Sequence, residues 1–541
     1  MLKRFIFIGT IISFIIIALL PILWMFSNSL VVDGKLSLRN YWQVLSEARQ
    51  FILLKNSLLV AGLSTFLAIL IGVPIALFIS RTNMPLRGVF TALCVVPLLV
   101  PPYINAIAWI HLLGQRGVLN IFLMRMLGLE EPLLTIYGIW GVIFVLTLSY
   151  FPFVTLLTAS GLITIDPKLE EAGRLYISEF KVLRRISLKL VIPSILSGAL
   201  FVFIFAIANF GVPALLRLHV YPIEVFSQFS AFFNFQAATA TALPLVVITL
   251  GVVFLQRLYM KRRAYMTVSS DWSQPRIVNL GNWRWLAFIF CLLIISLSVI
   301  LPVGVLIHRS ASLEAYRTAF DTAKGEIANS LWFSGLGATM MVALGLVIAY
   351  IVERTKVRGR GILDISSILP YAIPGTVLGV GLISLWNRPV PFSYIYSTLA
   401  IVVLAYVARF IPFSVKALSS SFRQLDSSLE EAAVVSGISW RRTMTGIVIP
   451  LVKQGLFTAW LLAFVLCMGE LAASILVCPA GSTTLPVRIF TLMHYGPDKL
   501  VAALCVILIS IILLPIVIFG RMMRKTVEVF LDGTGRIEKC Y

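Results

Sequence analysis

Residues 429–450 read LEEAAVVSGISWRRTMTGIVIP, a polar and basic stretch that lies between two long apolar runs. A similar segment begins with LEEAG at residues 169–173 and also lies between apolar runs. A membrane protein that repeats one polar segment in this way offers two docking points to a symmetric partner. We therefore expect these two segments, called the LEEA segments below, to contact a second protein.

The composition indicates a polytopic membrane protein. The 541 residues are 59% hydrophobic and 12% charged, whereas soluble domains are about a quarter charged. The net charge of +21 suggests nucleic-acid binding at first sight. However, the basic residues lie between apolar runs and form no long basic tract. We therefore exclude nucleic acid as a partner and expect contact with membrane lipid.

Twelve apolar runs are long enough to cross a bilayer as helices. A membrane satisfies no backbone polar groups, so runs of this length predict helices, whereas the strands of a barrel are shorter and alternate. The first run is too long for the apolar region of a signal peptide, and we expect it to be an uncleaved span. The fold class is therefore all-α, with about 12 transmembrane helices. The runs lie near 5–26, 57–80, 89–112, 138–159, 193–216, 239–257, 285–307, 330–352, 363–386, 398–417, 454–477 and 500–520.

The distribution of Lys and Arg predicts the orientation of these helices. If both termini are cytoplasmic, the inner segments carry 30 of these residues and the outer loops carry 13. Because basic residues are enriched on the cytoplasmic side of membranes, we predict cytoplasmic termini and cytoplasmic LEEA segments. Arg409 lies inside the tenth run, and we expect it to extend toward the inner surface.

The chain is an internal duplication. NSLLVAGL at 56–63 matches NSLWFSGL at 329–336, and Arg81 matches Arg354 at the same offset of 273 residues. Each half has six spans, so both halves run in the same direction, which predicts parallel repeats with a substrate path at their interface. The same offset relates prolines of the third and ninth runs, namely Pro97, Pro101, Pro370 and Pro374.

The duplication divides the chain into six regions. They are a first helix and outer loop (1–55), a first repeat (56–257), a cytoplasmic linker (258–284), a seventh helix and outer loop (285–328), a second repeat (329–520) and a cytoplasmic tail (521–541).

Each LEEA segment is predicted to form a short helix. Asp166 and Asp426 are typical N-cap residues, and glutamates in the first turns are favoured by the helix dipole. Gly437 can end the second helix, and small residues let another surface approach the backbone. The residues that we predict to make the contact are Glu171, Ala172, Gly173, Glu431, Ala432, Ala433 and Gly437.

The second LEEA segment resembles the signature of ATP-binding-cassette importer permeases. The signature, E-A-A-x-x-x-G followed by hydrophobic-x-hydrophobic-Pro, is complete from Glu431 to Pro450. The first copy departs from it, because Gly173 replaces the second Ala and Lys189 stands near the expected Pro. This difference implies two docking points of unequal strength.

Further motifs resemble one branch of this family. NFGVPALL at 209–216, GELAASILVCPAG at 469–481 and TLPVRIFTLMHYG at 484–496 look most like ferric-iron permeases, in which two type-I permease units are fused in tandem. Fused permeases for thiamine and aminoethylphosphonate look similar, so the substrate stays open between these solutes.

The resemblance also implies partners and a location. The LEEA segments would be coupling helices seated in grooves of two cytoplasmic ATPase subunits, and a periplasmic binding protein would deliver the substrate across a bacterial inner membrane. The chain contains no GxxxxGK[ST] nucleotide loop. We therefore expect a transport subunit and not an enzyme, without a cofactor, with ATP hydrolysis in separate subunits.

Ionisable residues inside apolar runs are functional candidates. Glu470 in the eleventh run and Asn209 at the matching place in the fifth are predicted to line the path from opposite sides. Alternatively, Glu470 caps a helix end. The four repeated prolines are expected to break their spans and free carbonyls for the path, or only to shape the packing. The four histidines fall in separate loops, so we predict no metal site.

Two other classes of protein remain to be weighed. An ion-coupled secondary transporter usually needs buried carboxylates or histidines in several helices, and this sequence offers little beyond Glu470. An integral-membrane enzyme would show clustered His, Asp or Glu within its spans, and no such cluster is present.

Overall fold

A computed structural model of the chain describes residues 2–32, 35–262, 277–390, 392–479 and 481–535. Within these ranges 9 helices are long and apolar enough to cross a membrane, and 3 helix pairs are bent at a short break. Counting each pair as one span gives 12, which confirms the predicted all-α fold class. The middle of the predicted linker, 263–276, and the end of the predicted tail, 536–541, lie outside the described residues.

The spans are numbered 1 to 12 below, and each overlaps one of the twelve apolar runs. The third run, near 89–112, covers the shorter apolar helix Arg87–Leu99 and only the first part of span 3. In chain order the spans are Leu2–Ser29, Ala48–Arg81, Pro102–Leu127, Ile139–Ile163, Glu179–Leu190 with Ile192–Ile207, Phe235–Gln256, Trp283–Arg309, Leu313–Arg354, Arg360–Ala372 with Gly375–Trp386, Ala400–Gln424, Trp440–Leu451 with Lys453–Met468, and Asp498–Arg521.

Short elements connect these spans. Span 3 comprises Pro102–Leu113 and Val118–Leu127, and the helices of spans 6 and 12 continue to Arg262 and Gly535. An antiparallel ribbon of Val31–Val32 and Lys35–Leu36 follows span 1. The remaining helices are Arg39–Leu45, Arg87–Leu93, Val96–Leu99, Pro167–Arg174, Gly211–Leu215, Tyr221–Ser230, Ser393–Tyr396, Ser428–Val435, Ser474–Val477 and Leu485–Tyr495.

The two halves pack in the same way. Span 2 packs along spans 4 and 5, and span 8 packs along spans 10 and 11. Span 1 packs against spans 8, 9 and 10 of the other half, while span 7 packs against span 3. The first helix of each half therefore packs against the opposite half. One core of buried apolar side chains extends through both halves.

Matching glycines allow close helix approaches in each half. A Cβ atom on Gly72 of span 2 would lie 3.0 Å from the Phe151 carbonyl oxygen of span 4. At the same place in the second half, a Cβ atom on Gly345 would lie 3.1 Å from the Ser414 Cβ. Small residues are the usual means by which membrane helices approach each other, so the duplication extends to the helix crossings.

Matching prolines interrupt the third and ninth apolar runs. In the first half a helix ends at Leu99, and Pro101 precedes the next helix. In the second half a helix ends at Ala372, Pro374 precedes the next, and the two helices form an angle of 105°. Proline lacks an N–H and restricts the residue before it to extended backbone. The chain therefore turns at equivalent points in the two halves.

Candidate functional site

Both LEEA segments form short helices that begin at an Asp. Asp166 is the N-cap of Pro167–Arg174, and its side chain accepts a hydrogen bond of 2.9 Å from the Lys168 N–H. The second helix, Ser428–Val435, begins one residue later than predicted, so Asp426 lies just before the N-cap Ser427. Asp426 still accepts the Ser428 N–H at 3.0 Å, and that hydrogen bond lowers its pKa.

The second helix ends at a left-handed glycine, whereas the first does not. Gly437 has a φ of 71°, and the next N–H, that of Ile438, donates to the Ala433 carbonyl at 2.9 Å. This is the arrangement in which glycine satisfies the last carbonyls of a helix. In the first copy the backbone at Tyr176 and Ile177 instead donates to the Gly173 carbonyl, both at 3.1 Å.

An arginine at the end of span 2 or span 8 forms an ion pair with the LEEA helix of the same half. In the first half, Arg81 Nη1 lies 3.1 Å from Glu170 Oε2, and Arg81 also donates to the Leu162 carbonyl at 2.5 Å. In the second half, Arg354 Nε lies 3.5 Å from Glu430 Oε1. Arg354 donates at 2.7 Å to the Phe422 carbonyl, which is the equivalent of Leu162. The sequence shows the repetition of these arginines and glutamates, but sequence analysis did not predict that they pair.

The predicted contact residues divide into an outward and an inward group. The exposed ones are Glu171, Ala172, Glu431, Ala432 and Gly437. Ala433 is buried, and Gly173 is half-buried because a Cβ atom there would lie 2.5 Å from the Ile186 Cδ1. The exposed residues remain candidates for contact with a partner, whereas Gly173 and Ala433 pack within the chain.

Each LEEA helix also ends in apolar side chains that nothing in the described chain covers. Leu175 and Tyr176 are 80% and 87% exposed, and Val434 and Val435 are 70% and 88% exposed. Exposed apolar patches of this kind mark interaction sites. Sequence analysis did not identify these residues, although two adjacent apolar residues lie at the end of each LEEA helix.

A cavity of about 830 Å³, part of it open to solvent, lies between the two halves. It contains Asn209 and Glu470, which were predicted to face each other across a path. Spans 3, 4 and 5 contribute from one half and spans 10 and 11 from the other. The polar or charged side chains on its wall are Tyr103, Tyr150, Asn209, Arg409 and Glu470.

Glu470 lies in the loop just after span 11 and binds two partners through one oxygen. Glu470 Oε1 accepts the Ala473 N–H at 2.7 Å and lies 3.1 Å from Arg409 Nη1. The Arg409 and Glu470 side chains are 12% and 5% exposed. Glu470 therefore caps a helix start and also lines the cavity. The expectation that Arg409 extends to the inner surface was wrong, because its guanidinium pairs with Glu470 at the cavity. Burying either charge without the other would be costly.

Asn209 takes the equivalent position after span 5 but carries no charge. Its Oδ1 accepts the Val212 N–H at 3.0 Å, which repeats the capping of Ala473 by Glu470. Its Nδ2 donates to the Tyr150 hydroxyl at 3.1 Å. The cavity therefore has an amide and a phenol on one side and an ion pair on the other.

The proline breaks reach this cavity at two points. Pro101 lines it, and a Cβ atom on Gly469 would lie 3.0 Å from the Pro101 Cγ, so the halves touch here. Gly375, next to Pro374, leaves room for the Arg409 guanidinium, which an added Cβ would overlap. Pro97 and Pro370 shape the same helices without lining the cavity.

A layer of aromatic rings lies on the side of the cavity nearer the LEEA helices. Phe205 is one turn before Asn209 in span 5, and its ring centroid is 5.0 Å from that of Phe153 and 5.1 Å from that of Tyr371. Tyr371 in turn lies 4.8 Å from Phe413. These four rings from spans 4, 5, 9 and 10 join the two halves at this side of the cavity, and Phe153 and Phe205 are part of its wall.

Comparison with known proteins supports this duplicated arrangement. The chain matches the family model of the binding-protein-dependent transport system inner membrane component twice, over residues 68–265 and 341–528. The ferric transport system permease protein FbpB of Actinobacillus pleuropneumoniae is 26% identical over 87% of this chain and 71% of its own length.

Two further relatives show the range of the family. The Fe(3+)-transport system permease protein FbpB 2 of Haemophilus influenzae is 25% identical over 88% of this chain and 91% of its own length. A probable molybdenum ABC transporter permease protein of Haloferax volcanii is 30% identical over 37% of this chain and 72% of its own length. The two family matches and these relatives favour an ABC permease over a secondary transporter or a membrane enzyme. The chain belongs to the binding-protein-dependent transport system inner membrane components, as the multi-pass permease subunit of an ABC importer.

Proposed function

We propose that the chain forms the translocation path of an importer that two cytoplasmic ATPase subunits drive through the LEEA helices. The observation that carries this proposal is the duplicated helix, anchored by an arginine and ending in exposed apolar side chains. A periplasmic binding protein delivers the substrate on the opposite side. Both termini then lie in the cytoplasm, as the distribution of basic residues favours.

The anchors explain how a movement of the ATPases reaches the path. The pairs Arg81–Glu170 and Arg354–Glu430 fix each LEEA helix to span 2 or span 8. Those spans pack along spans 4, 5, 10 and 11, which carry the wall of the cavity. When the two LEEA helices move together or apart, the halves rock as bodies about the cavity, which is alternating access.

Ferric iron is the substrate that we propose first. The two FbpB relatives, which cover 87% and 88% of the chain, are named for ferric iron. The cavity wall supplies a carboxylate, a phenol and an amide oxygen at Glu470, Tyr150 and Asn209, and oxygen ligands suit hard cations.

A second candidate substrate is an oxyanion. Arg409 places a guanidinium on the cavity wall, and a relative that covers part of the chain is named for molybdenum. Arginine is the side chain best suited to recognise oxyanions. The two candidates therefore differ in the sign of the charge that the cavity receives.

The docking proposal is tested by co-purification. We expect a cassette ATPase co-expressed with the full chain to remain bound during purification. Glu431→Lys combined with Val435→Asp should retain roughly tenfold less ATPase or worse, because interface anchors each contribute more than about 1 kcal/mol. Glu131→Lys, an exposed glutamate between spans 3 and 4, makes the same charge change elsewhere and should retain it fully. Equal retention by both variants would contradict the docking proposal.

The substrate is tested through the binding protein that associates with the chain. Elemental analysis of that protein, purified with its ligand, should find iron. Molybdenum, phosphorus or sulfur in an oxyanion released from that protein would support the second candidate instead. A ligand without any of these elements would contradict both.

A further inference from the structure

A groove on the lipid-facing side of the first half combines apolar and basic walls. Span 2 contributes Ile69, Leu70, Val73 and Pro74, and the bent span 5 contributes Leu188, Ile192 and Ile195 together with Arg184 and Lys189. Its volume is about 820 Å³, part of it open to solvent. Both basic side chains are exposed. Within the described part of the chain, no carboxylate forms an ion pair with either of them.

A larger apolar groove continues from this one. It encloses about 1980 Å³ and shares Leu70 and Pro74 with the first groove. Its wall includes Phe78 of span 2 and Trp283 and Phe290 of span 7. The two grooves together provide a basic part and an extended apolar part beside each other, at the end of the bundle where the LEEA helices lie.

The two basic residues of this groove have no basic equivalent in the second half. The π-helical turns Leu183–Ser187 and Met444–Val448 are equivalent, and so are the short helices Leu188–Leu190 and Ile449–Leu451. At equivalent places Arg184 is replaced by Thr445 and Lys189 by Pro450, while Lys453 takes the place of the apolar Ile192. The missing proline of the degenerate first signature is therefore a basic residue that faces a groove, which the family resemblance does not explain.

We propose that this groove binds an anionic phospholipid. Its phosphate would lie between Arg184 and Lys189, and its acyl chains would lie along Val73, Ile192 and the larger groove. Charge complementarity selects this occupant, because basic pockets between membrane helices bind anionic headgroups. The apolar walls suit acyl chains, whereas a free phosphate would leave them exposed to water.

The bound lipid would act on the first LEEA helix. Ser187 lies between Arg184 and Lys189, and its hydroxyl donates to Glu170 Oε1 at 2.7 Å. Glu170 is the carboxylate that Arg81 holds. A headgroup that fixes the helix around Ser187 therefore also fixes this anchor, in the half whose docking signature is incomplete.

The test measures lipid bound to the purified full chain, without any ATPase, by native mass spectrometry with phosphatidylglycerol and phosphatidylcholine. We expect phosphatidylglycerol to bind in preference. Arg184→Gln combined with Lys189→Gln should weaken that binding roughly thirtyfold, since each basic residue contributes about a fivefold factor. The matched control is Lys181→Gln with Arg185→Gln, which removes the same charge from the same segment, because neither residue lines the groove. The control should bind as the unaltered chain does.

Several outcomes would overturn the proposal. An equal loss of phosphatidylglycerol binding in both double variants would show only a general effect of charge. Unchanged binding in both would show that Arg184 and Lys189 do not hold the headgroup. Equal binding of the two lipids would also contradict it. If lipid binding is unchanged in the Arg184 and Lys189 variant, and the same variant loses a co-expressed ATPase in a separate co-purification, the groove is assigned to the ATPase instead. Because the lipid measurement needs no ATPase, its failure is distinguishable from failure of the docking proposal.

Discussion

At the scale of single residues, a buried arginine determines where each LEEA helix lies. The Arg81 side chain is 1% exposed, and that of its partner Glu170 is 11% exposed. A charge at this depth persists only when it is paired. The pair therefore fixes the LEEA helix against span 2 and is the residue-level basis of the coupling that we propose.

Removing one member of this pair should destabilise the first half. Glu170→Gln leaves Arg81 without its carboxylate, and breaking a buried pair costs about 3–5 kcal/mol. We expect a clearly lower melting temperature in detergent, measured by tryptophan fluorescence. The neighbouring Glu171→Gln is the control, because Glu171 is exposed and such surface changes stay within about 0.5 kcal/mol. Equal melting temperatures for the two variants would contradict this role of the pair.

A second residue-level prediction concerns the ion pair in the cavity. Arg409→Ser and Glu470→Asn each leave one buried charge without its partner, so each should destabilise the protein more than the two changes combined. In the combined variant the second half has an uncharged asparagine at position 470, as the first half has at Asn209. A double-mutant cycle on melting temperature measures this coupling. Strictly additive effects would show that Arg409 and Glu470 are energetically independent.

At the scale of elements, the spans were predictable and the pairs between them were not. A run of about twenty apolar residues is a local property that requires a helix in a membrane, so the sequence predicted twelve spans. The partner of Arg409 depends on how spans 10 and 11 approach, which a single sequence does not contain. A charged residue inside a span nevertheless calls for a buried partner, and Glu470 was the available carboxylate.

The bends also depend on tertiary structure. Spans 5 and 11 turn by 61° and 71° at Val191 and Val452. Pro193 follows the first bend and Pro450 precedes the second, so the two prolines are not at equivalent positions and did not locate the bends. The third and ninth apolar runs break next to the repeated prolines, which the sequence did indicate. The part of the candidate site formed by loops after spans 5 and 11 was located through the repeat, because Asn209 and Glu470 are at equivalent positions.

The helix crossings give an element-level prediction with a control inside the same helix. Gly72→Ala would place a methyl group 3.0 Å from the Phe151 carbonyl and should separate spans 2 and 4, lowering the melting temperature. Gly62→Ala lies on the same span with no atom within 4 Å of the added carbon, so it should have little effect. Gly345→Ala and Gly335→Ala repeat the comparison in span 8. A similar effect at both glycines of one span would contradict the close crossing.

At the scale of the whole molecule, the two halves share one architecture and differ in their chemistry. Each half has an arginine-anchored LEEA helix, a glycine crossing and a broken third apolar run. The second half alone has the charged pair at the cavity and a glycine that ends the LEEA helix. The first half has the groove with Arg184 and Lys189, whose equivalents in the second half are Thr445 and Pro450. The account therefore predicts symmetric movement of the two halves around an asymmetric path.

The most direct test of coupling is a distance measurement between the two LEEA helices. Spin labels attached through Glu171→Cys and Glu431→Cys report that distance by pulsed electron resonance in the complex of chain and ATPases. The five cysteines in the described part of the chain are buried or half-buried, and the variants are made after Cys540 is replaced. If the LEEA helices transmit ATPase closure to the path, a non-hydrolysable ATP analogue should shift the distance to shorter values. An unchanged distance with the ATPases bound and the nucleotide present would contradict the account.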